Sequence, residues 1–279
     1  MITARKPLRI TLLTTLGLFC TAVMVFPLYW VIVSSLKNTT ELFRTPPTWF
    51  PLQIDWSPYI ANFVQNQDIL HYMFNSLQIA LGTMLLSLVL AAPIAYALAR
   101  LQIRGKNIFL LFFLVVQMFP SIMLALPLFV MFTRIGLINS LPAVILAITT
   151  RTLPFAVLVL RPYFLHLPRD LEDAAFIDGC TLWSAFYRII LPLSRPGMVT
   201  VAILTFLMGW SDFLFPLSLI TDDSKRPLTL GLYKFISEYG TRWNDLMAVS
   251  VVVAIPIILA FIFAQRYIAS GLTAGAVKE

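Results

Sequence analysis

Long apolar blocks recur along the chain, parted by short polar joints, near 10–36, 72–99, 107–133, 141–160, 198–220 and 246–266. A helix needs roughly 20 residues to cross about 30 Å of hydrocarbon, so each block predicts one membrane span. The expected fold is an all-α polytopic membrane protein, a single domain over 1–279 with six transmembrane helices. One stretch breaks the pattern. From Asp170 to Gly197 the chain reads DLEDAAFIDGCTLWSAFYRIILPLSRPG, charged and punctuated, between the fourth and fifth blocks. Asp170, Glu172 and Asp173 suit the positive end of a helix dipole, and Leu171, Ala174, Ala175 and Ile177 can share one apolar face. Gly179 suits the left-handed residue that ends a helix. Thr181 can cap a second helix, on which Leu182, Trp183, Phe186, Tyr187 and Ile190 make a broad apolar face, closed by Pro192 and Pro196. Segment 168–197 is therefore predicted as a helix–turn–helix. From composition alone it is either a docking knob for a partner or a loop folded on the protein's own surface.

Composition narrows the class. Of 279 residues 59% are hydrophobic and 12% charged, against about 25% charged in soluble domains; mean hydropathy is +0.86. A soluble core cannot hide that much apolar surface, so soluble enzyme classes drop out. The net charge of +7 invites nucleic acid, but the basic residues flank the spans. With the N-terminus inside, the inner segments hold Arg5, Lys6, Arg9, Arg100, Arg104, Lys106, Arg161, Arg169, Arg188, Arg195, Arg266 and Lys278, twelve of twenty. That bias predicts both termini in the cytoplasm, including a tail at 267–279, and accounts for the charge without nucleic acid. The basic start and apolar run at 10–36 begin like a signal peptide, but the run is too long and no A-x-A site follows, which predicts an uncleaved first span. Segment 37–71, with four prolines, predicts an ordered outer loop with Trp49, Trp56 and Tyr59 at headgroup level. Segment 221–245 is predicted to face a partner outside.

The chemistry on offer is sparse. Cys20, Cys180, His71 and His166 have no metal-ligand or redox spacing, so neither a metal nor a catalytic site is expected. No G-x-x-x-x-G-K-[ST] loop is present, which excludes this chain as the part that hydrolyses ATP and predicts no cofactor of its own. Pro93, Gln117, Pro120, Pro127, Pro154, Pro216 and Pro256 interrupt the spans, consistent with bent helices lining a cavity. Arg151 and Asp212 fall inside spans, where charge is costly and by default marks a pathway. Asp212 lies between Trp210 and Phe213, a pairing of carboxylate and rings that suits a sugar's hydroxyls and C–H faces.

The interrupting stretch resembles the "EAA" coupling loop of ABC-importer permeases: Glu-Ala-Ala, three residues, Gly, nine residues, Ile, one residue, Leu-Pro. Ala174, Ala175, Gly179, Ile189, Leu191 and Pro192 stand at those spacings, with Asp178 before the Gly and Asp173 in place of the Glu. The tail resembles that of the maltose-type second permease subunit at Gln265, Arg266, Gly271, Leu272, Thr273, Gly275, Val277 and Lys278. FPLYWVIVSSLKN, Asn75-Ser76 and WSDF at 210–213 resemble the same group more weakly, Ser211 replacing its usual Asn. The resemblance implies a type I importer permease fold in a bacterial or archaeal inner membrane. It implies a heterodimer with a second permease, two cytoplasmic ATP-binding subunits that carry ATP and Mg, and an extracytoplasmic solute-binding protein. Asp173, Ala174, Ala175, Asp178 and Gly179 would dock an ATPase groove, and the tail would touch the same subunits. The implied solute is a carbohydrate: a di- or oligosaccharide, a glycoside or a polyol phosphate. The alternative reading, a self-contained secondary transporter or channel, would want coupling-ion carboxylates and repeated halves. A membrane-bound enzyme would want clustered His, Asp or Glu.

Overall fold

The computed structural model describes residues 5–237 and 240–274; of these, the side chains at 5–9, 237, 264 and 266–274 are not described. The chain is helical almost throughout. In order it forms α1 (Arg5–Ser35), α2 (Thr39–Leu42), α3 (Ser57–Ile60), α4 (Asp68–Arg100), α5 (Lys106–Met118), α6 (Ser121–Arg134) and α7 (Leu141–His166). There follow α8 (Asp170–Ile177), α9 (Leu182–Ala185), α10 (Leu191–Leu193), α11 (Arg195–Ser211), α12 (Leu214–Leu219), α13 (Leu228–Tyr233) and α14 (Trp243–Ala274). Two π-helical turns, Ala61–Gln65 and Phe186–Ile190, extend α3 and α9. Two-residue strands, Ile236–Ser237 and Gly240–Thr241, pair antiparallel.

Among the described residues, helices α1, α4, α7 and α14 are each long and apolar enough to cross a membrane, and the count reaches six when each of two bent pairs is taken as one span. The pair α5 and α6 bends by 97°. Its cause is Pro120, which has no N–H to donate and forces Phe119 out of the helical region, to φ −72 and ψ 126. The expected unbroken span at 107–133 is therefore two helices. The block at 198–220 is also interrupted, because Asp212 is extended (φ −67, ψ 130) between α11 and α12. Pro93, Pro127, Pro154 and Pro256 by contrast lie within continuous helices. Helix α7 starts where Ser140 accepts the Ala143 N–H at 3.3 Å and Pro142 supplies a preset φ.

Contacts divide the chain into two compact units, one reaching Ile69 and adding Leu232–Ala254, the other Leu70–Gly231 continuing from Ile255. In the second, α7 packs against α4 and α11 through small residues. Ala91, Ala92, Ala95 and Ala99 on α4 and Ala156 on α7 are buried in one cluster with Leu160, Phe164 and Val201. The Ser87 and Thr152 hydroxyls meet at 2.6 Å within it. Satisfying two buried polar groups at once contributes about 1 kcal/mol, and leaving either alone would cost more.

The first unit orders the outer loop expected at 37–71. Trp49 and Trp56 are exposed there and Tyr59 is half-buried, and the Trp49 ring lies 6.0 Å from Phe26 and 6.1 Å from Trp30 of α1. Glu41 holds the loop together: its Oε1 accepts the Thr48 hydroxyl at 2.6 Å and the Leu52 N–H at 2.9 Å. The Thr48 hydroxyl, then the Leu52 N–H and the charges of Lys37 and Arg44, hold this carboxyl below its ordinary value of 4.5, against an opposing push from burial. A depressed carboxyl stabilises the folded loop above its unfolded pKa and loses that contribution as pH falls through the folded one. Protection of the Leu52 amide from hydrogen exchange is therefore expected to hold at pH 6 and to fade below 4.5. In Glu41→Gln it should not vary with pH over that window.

Candidate functional site

Two places in the second unit carry the sequence's candidate chemistry. The first is the helix–turn–helix. Helix α8 ends in a paired turn: the Cys180 N–H donates to the Ala175 carbonyl at 2.9 Å and the Gly179 N–H to that of Phe176 at 3.1 Å. Gly179 sits at φ +83, the left-handed position this termination requires. Thr181 is extended, and its hydroxyl accepts the Ser184 N–H at 3.3 Å to start α9.

The segment has two faces. Outward stand Asp173, Ala174, Asp178 and Gly179, with Phe176 44%, Ile177 87%, Trp183 59% and Tyr187 59% exposed. Single exposed apolar residues are ordinary, but four large ones on one short segment form a patch. Inward lie Ala175, Phe186 and Ile190, all buried; Ile189 and Leu191 pack partly against the same core, while Pro192 is exposed. Ala175 was expected on the docking surface beside Ala174. At 2% exposure it is instead part of the chain's own core, about 100° round the helix from Ala174.

Sequence reasoning missed Glu172, which reads as one more acidic residue at a helix start. It is buried, its Oε1 3.8 Å from Arg100 Nε, with side chains 11% and 4% exposed. The Tyr96 hydroxyl lies near the same carboxylate. No sequence signal links residues so far apart; the clue was only that three acids open a helix too short to need them all.

The second place is an open cavity of about 360 Å³, lined among others by Ser121, Arg151, Met208, Ser211, Asp212 and Phe213. Both helix interruptions reach it, since Ser121 follows the bend at Pro120 and Asp212 the end of α11. The two intramembrane charges meet here, Arg151 Nη1 lying 3.9 Å from Asp212 Oδ2. Asp212 Oδ1 accepts the Phe215 N–H at 3.0 Å, satisfying the first turn of α12. The Arg151 carbonyl accepts from Gln117 Nε2 at 2.7 Å. The Asp212 side chain is 6% exposed and that of Arg151 38%, so the guanidinium is the group presented to the cavity. Trp210, expected beside Asp212 as a ring for a solute, is withdrawn: it is 2% exposed and stacks on Phe206 at 6.0 Å. The ring that lines the cavity is Phe213, 38% exposed.

Both cysteines are unbridged, and no three His, Cys, Asp or Glu side chains among the described residues could share a metal ion. Of the expected tail contacts, Gly271, Leu272 and Thr273 fall in the last turn of α14, where side chains are not described, and Gly275 and Lys278 lie outside the described residues.

Residues 87–274 match the model of a family described as the inner membrane component of binding-protein-dependent transport systems. The arabinooligosaccharides transport system permease protein AraQ of Halalkalibacterium halodurans is 37% identical over 275 residues, covering 98% of each chain. The sulfoquinovosyl glycerol transport system permease protein SmoH of Agrobacterium fabrum is 37% identical over 91% of this chain and 88% of its own. A chain in the crystal structure of a bacterial ABC transporter involved in import of the acidic polysaccharide alginate superposes with a TM-score of 0.80 at 20% identity, covering 96% of this chain and 98% of that one. At that identity the likeness carries the fold alone.

Proposed function

Because the chain belongs to the inner membrane components of binding-protein-dependent transport systems, we propose that its outward-facing helix–turn–helix is where ATP hydrolysed by partner subunits drives solute across the membrane. The chain is a multi-pass permease subunit of an importer for sugar or sugar-like solutes. Relatives that cover nearly its whole length are permeases of arabino-oligosaccharide and sulfoquinovosyl glycerol systems. The solitary transporter and the membrane enzyme fall away with this membership. What carries the coupling reading is the division of the knob into an inner face packed on the bundle and an outer face of Ile177, Phe176, Trp183 and Tyr187. An apolar patch of that kind on a membrane protein fits a groove in a soluble partner.

In this reading two ATP-binding subunits hold ATP and Mg, and one of them receives Asp173, Ala174, Asp178 and Gly179. The tail at Gly271, Leu272, Thr273, Gly275 and Lys278 makes a second contact with the same subunits. Both termini lie in the cytoplasm of a bacterial or archaeal cell. A second permease completes a heterodimer, and a solute-binding protein delivers the sugar at the opposite face. Arg151 and Asp212, with Phe213, contribute a donor, an acceptor and a ring to the solute's path, whereas Trp210 shapes the wall from behind. Packed elements shift between discrete arrangements rather than deforming smoothly, so closure of the ATPase pair would move the knob as a body.

The test is co-purification. Ile177→Asp places a charge at a site 87% exposed, so insertion into the membrane should be unchanged. The ATP-binding subunits recovered with the tagged chain are expected to fall at least tenfold. Recovery at the level of the unsubstituted chain would remove the knob as the docking surface.

A further inference from the structure

The knob is continuous in sequence with α7 before it and α11 after it, so either helix can be pulled through the chain itself. Helix α4 has no such link, ending at Arg100, seventy residues before the start of α8 at Asp170. Yet α4 is gripped there by buried polar groups. The Glu172 side chain enters the bundle and meets Arg100 Nε at 3.8 Å and the hydroxyl of Tyr96, one helical turn apart on the same face of α4. Arg100 Nη2 also donates to the Leu167 carbonyl that ends α7. The Tyr96 ring lies 4.9 Å from Phe186 and 5.9 Å from Phe164.

Such a pair differs from apolar contact in one respect that bears on movement. Apolar contacts can be exchanged for others of the same kind, but separating a buried ion pair leaves an unpaired charge out of water. The remaining buried residue of α8, Ala175, offers only a methyl group. Of the two buried residues of α8, Glu172 is therefore the one whose displacement from α4 would leave a charge unpaired.

The far end of α4 is gripped as well. Asn75 Nδ2 donates to the Ser224 carbonyl at 2.9 Å and to that of Arg226 at 3.0 Å. Ser76 Oγ accepts the Leu228 N–H at 2.8 Å, and the Tyr72 hydroxyl donates to Asp223 at 3.0 Å. The two grips stand near opposite ends of the 33-residue α4, about 36 Å apart at 1.5 Å per residue. We propose that Glu172, through its buried pair with Arg100 beside Tyr96, is the positioning residue that makes α4 move with the docking knob and so carries the stroke to the loop at 221–228. This rests on the coupling role given to the knob above.

The experiment uses the assembled importer in proteoliposomes, with Cys20 and Cys180 replaced by Ser and a spin label at exposed Thr221→Cys. ATP with vanadate is expected to shift the label's distance to a second label on the partner permease. In Glu172→Gln that shift and the solute taken up per ATP hydrolysed should fall at least fivefold, while the ATP-binding subunits remain bound. The exchange Arg100→Glu with Glu172→Arg should regain at least half of both. Should Glu172→Gln fail to accumulate, Tyr96→Phe removes a single hydroxyl and should lower both readouts at least twofold. A full shift with unchanged uptake per ATP in Glu172→Gln, or in Tyr96→Phe, would overturn the proposal. Failure of the coupling reading itself is distinguishable, because the unsubstituted importer would then give no ATP-dependent shift at all.

Discussion

Gly179→Val is expected to leave the chain in the membrane at normal level and to cut solute uptake per ATP hydrolysed at least tenfold. The effect is one of backbone rather than space. A Cβ added at Gly179 would meet nothing within 4 Å, so no clash destabilises the bundle. The residue is nevertheless held at φ +83, where an L side chain costs about 1–2 kcal/mol and a β-branched one is a marked outlier. The strain is relieved most readily by swinging α8 against α9, since α8 has only eight residues and a helix that short has little stability of its own. That swing moves Ile177 and Asp178 relative to Trp183, so the docking face loses its shape while the spans keep theirs. Gly179→Asn is the control, because Asn tolerates the left-handed region, and it should keep most of the coupling. Uptake and hydrolysis measured in the same vesicles decide the matter. Undiminished uptake per ATP in the Val variant would remove the turn from the coupling path.

Gly209→Val is expected to do the opposite, removing folded protein rather than coupling. Here the obstacle is backbone: an added Cβ lies 2.9 Å from the Ala80 Cα of α4 and 3.3 Å from Thr83 Cβ. A main-chain atom cannot rotate away, so α11 must back off from α4 along its length. Overpacking a core costs typically about 1–3 kcal/mol, and Val adds two methyl groups beyond the one that already collides. Gly82 makes the useful comparison. Its added Cβ would lie 2.5 Å from Ile145 Cδ1, the end of a side chain that can change rotamer. Thermal unfolding in detergent should therefore rank Gly209→Val below Gly209→Ala and both below Gly82→Ala. Equal midpoints for Gly209→Ala and Gly82→Ala would show that α4 and α11 are not held at this distance.

What the sequence could reveal divides along a physical line. Features fixed by a few neighbouring residues were legible. The turn at Gly179, the cap at Thr181 and the split of the chain into apolar blocks all follow from local backbone and solvation preferences. Features fixed by distant partners were not. Seven interruptions of the spans were visible, yet Pro120 and the Asp212 break divide helices while Pro93, Pro127, Pro154 and Pro256 are absorbed. Whether a freed carbonyl finds another donor depends on neighbours the sequence does not name. Arg151 and Asp212 were each conspicuous as charges within apolar blocks, but only the fold brings them to 3.9 Å. The inward turn of Glu172 and Ala175 is the same kind of fact. An eight-residue helix has a periodicity too brief to say which side is covered, and Arg100 supplies the answer from another helix.

The π-helical turn at Phe186–Ile190 sets the phase between the knob and the span that follows. Its hydrogen bond from Leu191 N–H to the Phe186 carbonyl encloses one residue more than an α-turn would. The chain thus stores a single spare residue at the junction. Deleting one residue here would let the turn close as ordinary α-helix and leave the docking face near its present orientation, because the wider turn already takes up the extra residue. The same deletion made within α11, which has no spare residue to give up, would instead turn Ile177 and Trp183 by about 100° about the helix axis, with every residue of the docking face still present. Along this segment, chain length is as much a determinant of partner fit as side-chain identity.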